Sequence, residues 1–127
     1  MAPDSPRLMV QTRADSYDTG RRFDELDPDH PEPFDTPWGS FALYVIEGRP
    51  MAVQSFCPHL LGPLFAGTIA GGEVTCPWHG WRFDLATGVC THRPEGGASK
   101  VAALRRLCVE IGPHGTLVMR PELAPPR

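Results

Sequence analysis

Long apolar runs are missing. Nowhere do about 18 apolar residues follow one another, the length that marks a candidate membrane-spanning helix. Lysine is nearly missing too: Lys100 stands alone against eleven arginines, a bias to which no function attaches. There is no basic excess, because the formal net charge is −3 and the pI about 5.9, so the chain lacks the electrostatic footprint of a nucleic-acid binder. No leader is legible: Met1-Ala2-Pro3-Asp4-Ser5-Pro6 has neither a basic segment nor an apolar one. Arg21-Arg22 precedes Phe23-Asp24-Glu25-Leu26-Asp27 and not an apolar stretch, so it is ordinary surface. A cytoplasmic location is the expectation. Repeats and low-complexity tracts are absent, and 127 residues suit one domain, 1–127, with a modest core.

Cysteine is scarce, at four, but two of the four sit in a pattern. Cys57-Pro58-His59 is followed, after sixteen residues, by Cys76-Pro77-Trp78-His79. Each Gly- and Pro-marked loop thus offers one thiol and one imidazole. Two thiolates and two imidazoles are the ligands of a [2Fe–2S] centre in which His replaces Cys on one iron. Cys₂His₂ also binds zinc, but zinc ligands usually lie two to four residues apart within a knuckle, and the single-residue gap from Cys57 to His59 fits that poorly. Two loops approaching tip to tip, each giving a Cys to an inner iron and a His to an outer one, fit the spacing better. Pro58 and Pro77 stiffen the loops, and Gly62 and Gly80 permit close backbone approach.

These residues resemble the cluster-binding boxes of the Rieske iron–sulfur family. The strong part runs over about residues 56–94: Cys57-Pro58-His59-Leu60 with Gly62-Pro63-Leu64, then Cys76-Pro77-Trp78-His79-Gly80-Trp81-Arg82-Phe83-Asp84, then Thr87-Gly88. A looser likeness covers about 37–120, and the first 36 residues match nothing. The resemblance implies an all-β fold, a Rieske-type antiparallel β sandwich or small barrel with a two-loop cluster-binding subdomain. It implies one [2Fe–2S] cluster held by Cys57, His59, Cys76 and His79, with the thiolates buried and the imidazoles nearer solvent. In relatives from membrane-bound quinol-oxidising complexes a disulfide ties the two loops together. Its positions are Gly62 and Trp78 here, which points to the soluble ferredoxin and oxygenase branch. High-potential relatives carry a Ser and a Tyr where this chain has Trp81 and Phe83. Fewer donors to sulfur imply a potential near the low end of the Rieske range, on the order of −150 to −100 mV. Pro94, in Arg93-Pro94-Glu95-Gly96-Gly97, falls where the family places a third, shielding loop.

Outside the boxes the chain reads as short strands. Leu8–Thr12 is a candidate strand, residues 14–36 look irregular, acidic and Pro-containing, and 121–127 form a Pro-rich tail. Phe41–Ile46, the Glu47-Gly48 turn and Met51–Phe56 read as a hairpin running into the first loop. Arg106–Ile111 and Thr116–Met119 read as a closing hairpin. Cys90 and Cys108 read as buried thiols outside any disulfide. His30, His92 and His114 read as surface.

Two functions follow from the resemblance. One is an electron carrier, not itself an enzyme, fed by a flavin-containing, NAD(P)H-linked reductase and delivering to an oxygenase such as an aromatic-ring dioxygenase. The other is a small cluster-bearing subunit of a larger redox enzyme, as in assimilatory nitrite reductases. A regulatory or structural iron–sulfur role is a third. In either of the first two, Leu60, Leu61, Pro63, Trp78 and Trp81 are expected to form an apolar cap around the histidines, with the tryptophans either docking a partner or packing the loops.

Overall fold

The computed structural model describes residues 16–58, 61–94 and 103–121. It is almost entirely β. The central hairpin joins β3 (Gly39–Ile46) to β4 (Arg49–Gln54), after the edge strands β1 (Tyr17–Asp18) and β2 (Glu32–Thr36). Glu47 and Gly48 both take positive φ (53° and 77°), as a two-residue turn matched to strand twist requires. β4 ends at Gln54, two residues before the sequence reading. Ser55 instead bonds Ser40, through its N–H to the Ser40 carbonyl and through the paired hydroxyls, and the chain turns off into the first cysteine loop.

Around this hairpin a six-stranded antiparallel sheet forms in the order β1-β10-β9-β4-β3-β2, with β9 at Arg106–Ile111 and β10 at Leu117–Pro121. It curls until its edges nearly meet. Tyr17 and Phe34 stack edge-on at 6.2 Å, and Arg21 grips Glu32 with two 2.9 Å hydrogen bonds. The segment expected to be irregular therefore carries both edge strands. Pro33 is tolerated because β2 is an outer strand, where a missing N–H breaks no ladder. The candidate strand Leu8–Thr12 lies outside the described residues.

A second antiparallel sheet, β5 (Thr68–Ala70), β6 (Glu73–Thr75), β7 (Arg82–Asp84) and β8 (Cys90–His92), pairs in chain order. Successive residues of β3 point to opposite faces, so the hairpin serves two cores. Phe41 and Leu43 join Ala52, Leu107, Leu117 and Met119 in one. Ala42, Tyr44 and Val53 join Val74, Phe83, Leu85 and Leu104 in the other, which also takes in Cys57 and Cys76. Among the described residues no helix is long and apolar enough to cross a membrane.

Candidate metal centre

The two cysteine loops are built alike. The Cys57 N–H donates to the Gly62 carbonyl (2.8 Å), and the Leu61 N–H donates back to the Cys57 carbonyl (2.7 Å). In the second loop the Cys76 N–H donates to the Trp81 carbonyl (2.7 Å), and the Gly80 N–H to the Cys76 carbonyl (3.1 Å). The fourth residue after each cysteine is left-handed: Leu61 at φ 60° and Gly80 at φ 78°. Each loop is thus a closed ring of backbone with a buried cysteine at its root, Cys57 1% and Cys76 3% exposed. The sequence showed the paired cysteines but not this equivalence, since Leu61 carries no left-handed preference.

The loops also touch. A methyl group added at Gly62 would lie 2.9 Å from the Trp78 ring and 3.0 Å from Cys76 Sγ. Gly62 and Trp78, the two positions that hold the inter-loop disulfide in quinol-oxidising relatives, therefore face each other, and ring-on-backbone packing joins the loops here. Pro94 lies against the second loop, 3.3 Å from a methyl built on Gly80.

Among the expected ligands, Cys57, Cys76 and His79 are described and His59 lies outside the described residues. His79 is exposed, in contrast to the cysteines. Among the described residues no group of three or more metal-ligating side chains is gathered. The surroundings nevertheless fit an iron–sulfur group in donor chemistry: two buried thiols at the roots of matched loops, an imidazole at the solvent side, and no side chain at Gly62 to obstruct their approach. None of the four cysteines forms a disulfide among the described residues.

Two expectations change. Trp81 is not part of an exposed cap: it is 5% exposed and belongs to the core, while Trp78 (51%) and Leu61 (69%) stay at the surface and Leu60 lies outside the described residues. Cys108 is exposed, because on β9 it points away from the side that buries Leu107, whereas Cys90 is half-buried against the core. His30 is at the surface as expected, with Nδ1 2.8 Å from an Asp27 oxygen. Sequence reasoning also missed Tyr44, a fully buried tyrosine in the core that holds the cysteines.

Comparison with known proteins adds an independent line. The Rieske [2Fe–2S] domain profile matches residues 21–108, beginning earlier than the reading that left the first 36 residues unmatched. The oxygenase component of dicamba O-demethylase from Stenotrophomonas maltophilia is 39% identical over 71 residues, 55% of this chain and 20% of that protein. The chain thus spans about a fifth of that relative's length. The ferredoxin of carbazole 1,9a-dioxygenase from Nocardioides aromaticivorans IC177 superposes with a TM-score of 0.69 at 22% identity, covering 86% of this chain and 100% of that one. A chain from the complex of reduced oxygenase and oxidized ferredoxin in carbazole 1,9a-dioxygenase gives 0.70 at 19% identity, covering 87% and 98%. At these identities the structural likeness speaks to the fold.

Proposed function

We infer an electron carrier from one premise: the chain belongs to the Rieske [2Fe–2S] domain family. Its cofactor is a Rieske-type [2Fe–2S] cluster, which when bound takes up and returns one electron. In the arrangement we propose, Cys57 and Cys76 hold the group from the buried side and His59 and His79 from the solvent side. The observation that carries this reading is the pair of matched loops, each rooted in a buried cysteine and packed together at Gly62 and Trp78. The backbone rings fix the cysteines, Gly62 lets the loops close, and the proline of the third loop helps exclude water. Exposed His79 and Trp78 leave an edge on which a partner can dock.

The donor in this reading is an NAD(P)H-linked, flavin-containing reductase. The acceptor is an oxygenase such as an aromatic-ring dioxygenase, a role supported by the likeness to ferredoxins along nearly their whole length. Neither Trp81 nor Phe83 has a hydroxyl to stabilise added charge, so the expected potential is on the order of −150 to −100 mV. An EPR-monitored redox titration at pH 7 tests both cluster and potential. A Rieske signal in that range supports the carrier; a midpoint several hundred millivolts positive sinks the low-potential reading, and zinc in place of iron sinks both.

The 39% identity to an oxygenase component favours a second reading, in which this is the cluster-bearing part or small subunit of a larger redox enzyme, such as an oxygenase or an assimilatory nitrite reductase. Gel filtration of native extract separates the two: a carrier elutes alone, a subunit with a large partner.

A further inference from the structure

Beside the first cysteine loop lies a cleft of about 350 Å³ walled by Asp29, His30, Pro31, Phe65, Ala66 and Gly67. One wall belongs to the short turn Leu64–Ala66 that follows the loop. The Phe65 ring meets Phe56 edge-on at 6.0 Å, and Phe56 immediately precedes Cys57. An occupant of the cleft therefore sits next to the segment that roots the first cysteine.

The other wall, Asp29, His30 and Pro31, belongs to an acidic segment. From Asp24 to Asp35 the chain carries six carboxylates and no lysine or arginine. Glu32 is held by Arg21, Asp27 by His30, and Glu25 accepts from the Arg22 N–H. Asp24, Asp29 and Asp35 are exposed, and no ion pair among the described residues engages them. The charge is thus left facing outward, with one such carboxylate, Asp29, on the cleft itself. A metal ion is a poor occupant, because no group of three ligating side chains is gathered there. A long cationic side chain suits both walls: its apolar stem lies on Pro31 and Phe65 while its charged head meets Asp29. Arginine suits best, since a guanidinium stacks on an aromatic face and forks onto a carboxylate.

We propose that this cleft receives an arginine from the rim of a basic protein that exchanges electrons with the cluster. The inference rests on the carrier reading. The cleft is an electrostatic anchor that orients the partner, distinct from the exposed edge at His79 and Trp78 across which contact is made.

The test uses the reduced holoprotein and cytochrome c, a basic haem protein, as acceptor in stopped flow across a range of ionic strength. Three variants are compared with the parent: Asp29→Lys, Asp29→Asn, and Glu47→Lys at the tip of the β3–β4 hairpin, which does not line the cleft. Asp29→Lys is expected to slow reduction about 5–10-fold at low salt and to flatten its salt dependence, with Asp29→Asn between. Glu47→Lys is expected to stay within about twofold, as a rim charge outside the cleft should. N-acetylarginine amide, added at constant ionic strength, is expected to slow the parent and not Asp29→Lys. EPR spectra unchanged across the set assign the effect to docking. If Asp29→Lys is no slower than Glu47→Lys while the EPR signal is intact, the anchor is overturned and the carrier reading stands. If the parent shows no Rieske signal, the carrier reading falls and takes the anchor with it.

Discussion

Leu61 and Gly80 occupy the same place in two rings of backbone, and the same left-handed turn costs them different amounts. Glycine takes that conformation freely, whereas for a side-chain-bearing residue it costs about 1–2 kcal/mol. The hydrogen bonds that close the first ring around Cys57 offset that cost. Gly62 is constrained by space: a methyl there meets the Trp78 ring and Cys76 Sγ at 2.9–3.0 Å, closer than side-chain carbons pack. Gly62→Ala is therefore expected to wedge the loops apart and lower bound iron per chain, read by iron analysis and EPR intensity. Adding Trp78→Ala to it makes room and is expected to restore part of the iron. Full occupancy in the single variant would mean that the close approach is not a requirement. Tyr44 presents the opposite case, a hydroxyl fully buried with no hydrogen-bond partner among the described residues, where burial pushes the phenol pKa up. Tyr44→Phe removes that uncompensated group and is expected to gain about 1 kcal/mol in denaturant unfolding. A loss of similar size would show that the hydroxyl is hydrogen-bonded after all.

At the level of elements, β1 has only two residues, and side chains reinforce its short backbone pairing with β10. Asp18 Oδ1 accepts from the Gly20 N–H (2.9 Å) and the Thr116 hydroxyl (2.7 Å), tying the start of the barrel to the β9–β10 turn. Those two donors hold the Asp18 carboxyl below its ordinary value. Because the folded value is the lower one, the tie is complete above the unfolded carboxylate pKa, about 3.9, and is lost as pH falls through the folded value. The stability gap between the parent and Asp18→Asn is thus expected to be open at neutral pH and to close in acid. A gap that stays constant through that descent would remove Asp18 from the account. Such ties also explain which elements were legible. The β3–β4 hairpin shows in the sequence as two apolar runs, Phe41–Ile46 and Met51–Val53, around Glu47-Gly48, and the β9–β10 hairpin as an apolar–polar alternation around a Gly-bearing turn. β1 is too short to alternate. β2 does alternate, with Phe34 inward, but Pro33 and its acidic neighbours outweigh that signal unless the strand is known to lie at an edge. The cysteine and histidine spacing was plain, whereas the burial of Trp81 and the exposure of Cys108 depend on tertiary packing that no local pattern records.

Across the whole molecule, the β3–β4 hairpin is the wall between two cores of unequal self-sufficiency. The core of Phe41, Leu43, Ala52, Leu107, Leu117 and Met119 draws only on the six-stranded sheet, whose central strands run six to eight residues. The other core leans on a sheet whose strands are three residues each, too short to persist without support, and it counts Cys57 and Cys76 among its buried members. Whatever holds those two sulfurs therefore also holds that core. With Cys57 and Cys76 as the ligands we propose, removing iron with a chelator would leave two thiols in its middle with their ligand bonds gone, and metal binding of this kind is folding free energy. Hydrogen exchange followed by mass spectrometry is expected to show loss of protection over 61–94 after chelation. Segments 39–54 and 106–120 should stay protected, since their ladders and their own core do not include the cysteines. If all three segments lost protection together, the hairpin would be coupling the two cores into one cooperative unit, and the cluster would be securing the barrel as well as the loops.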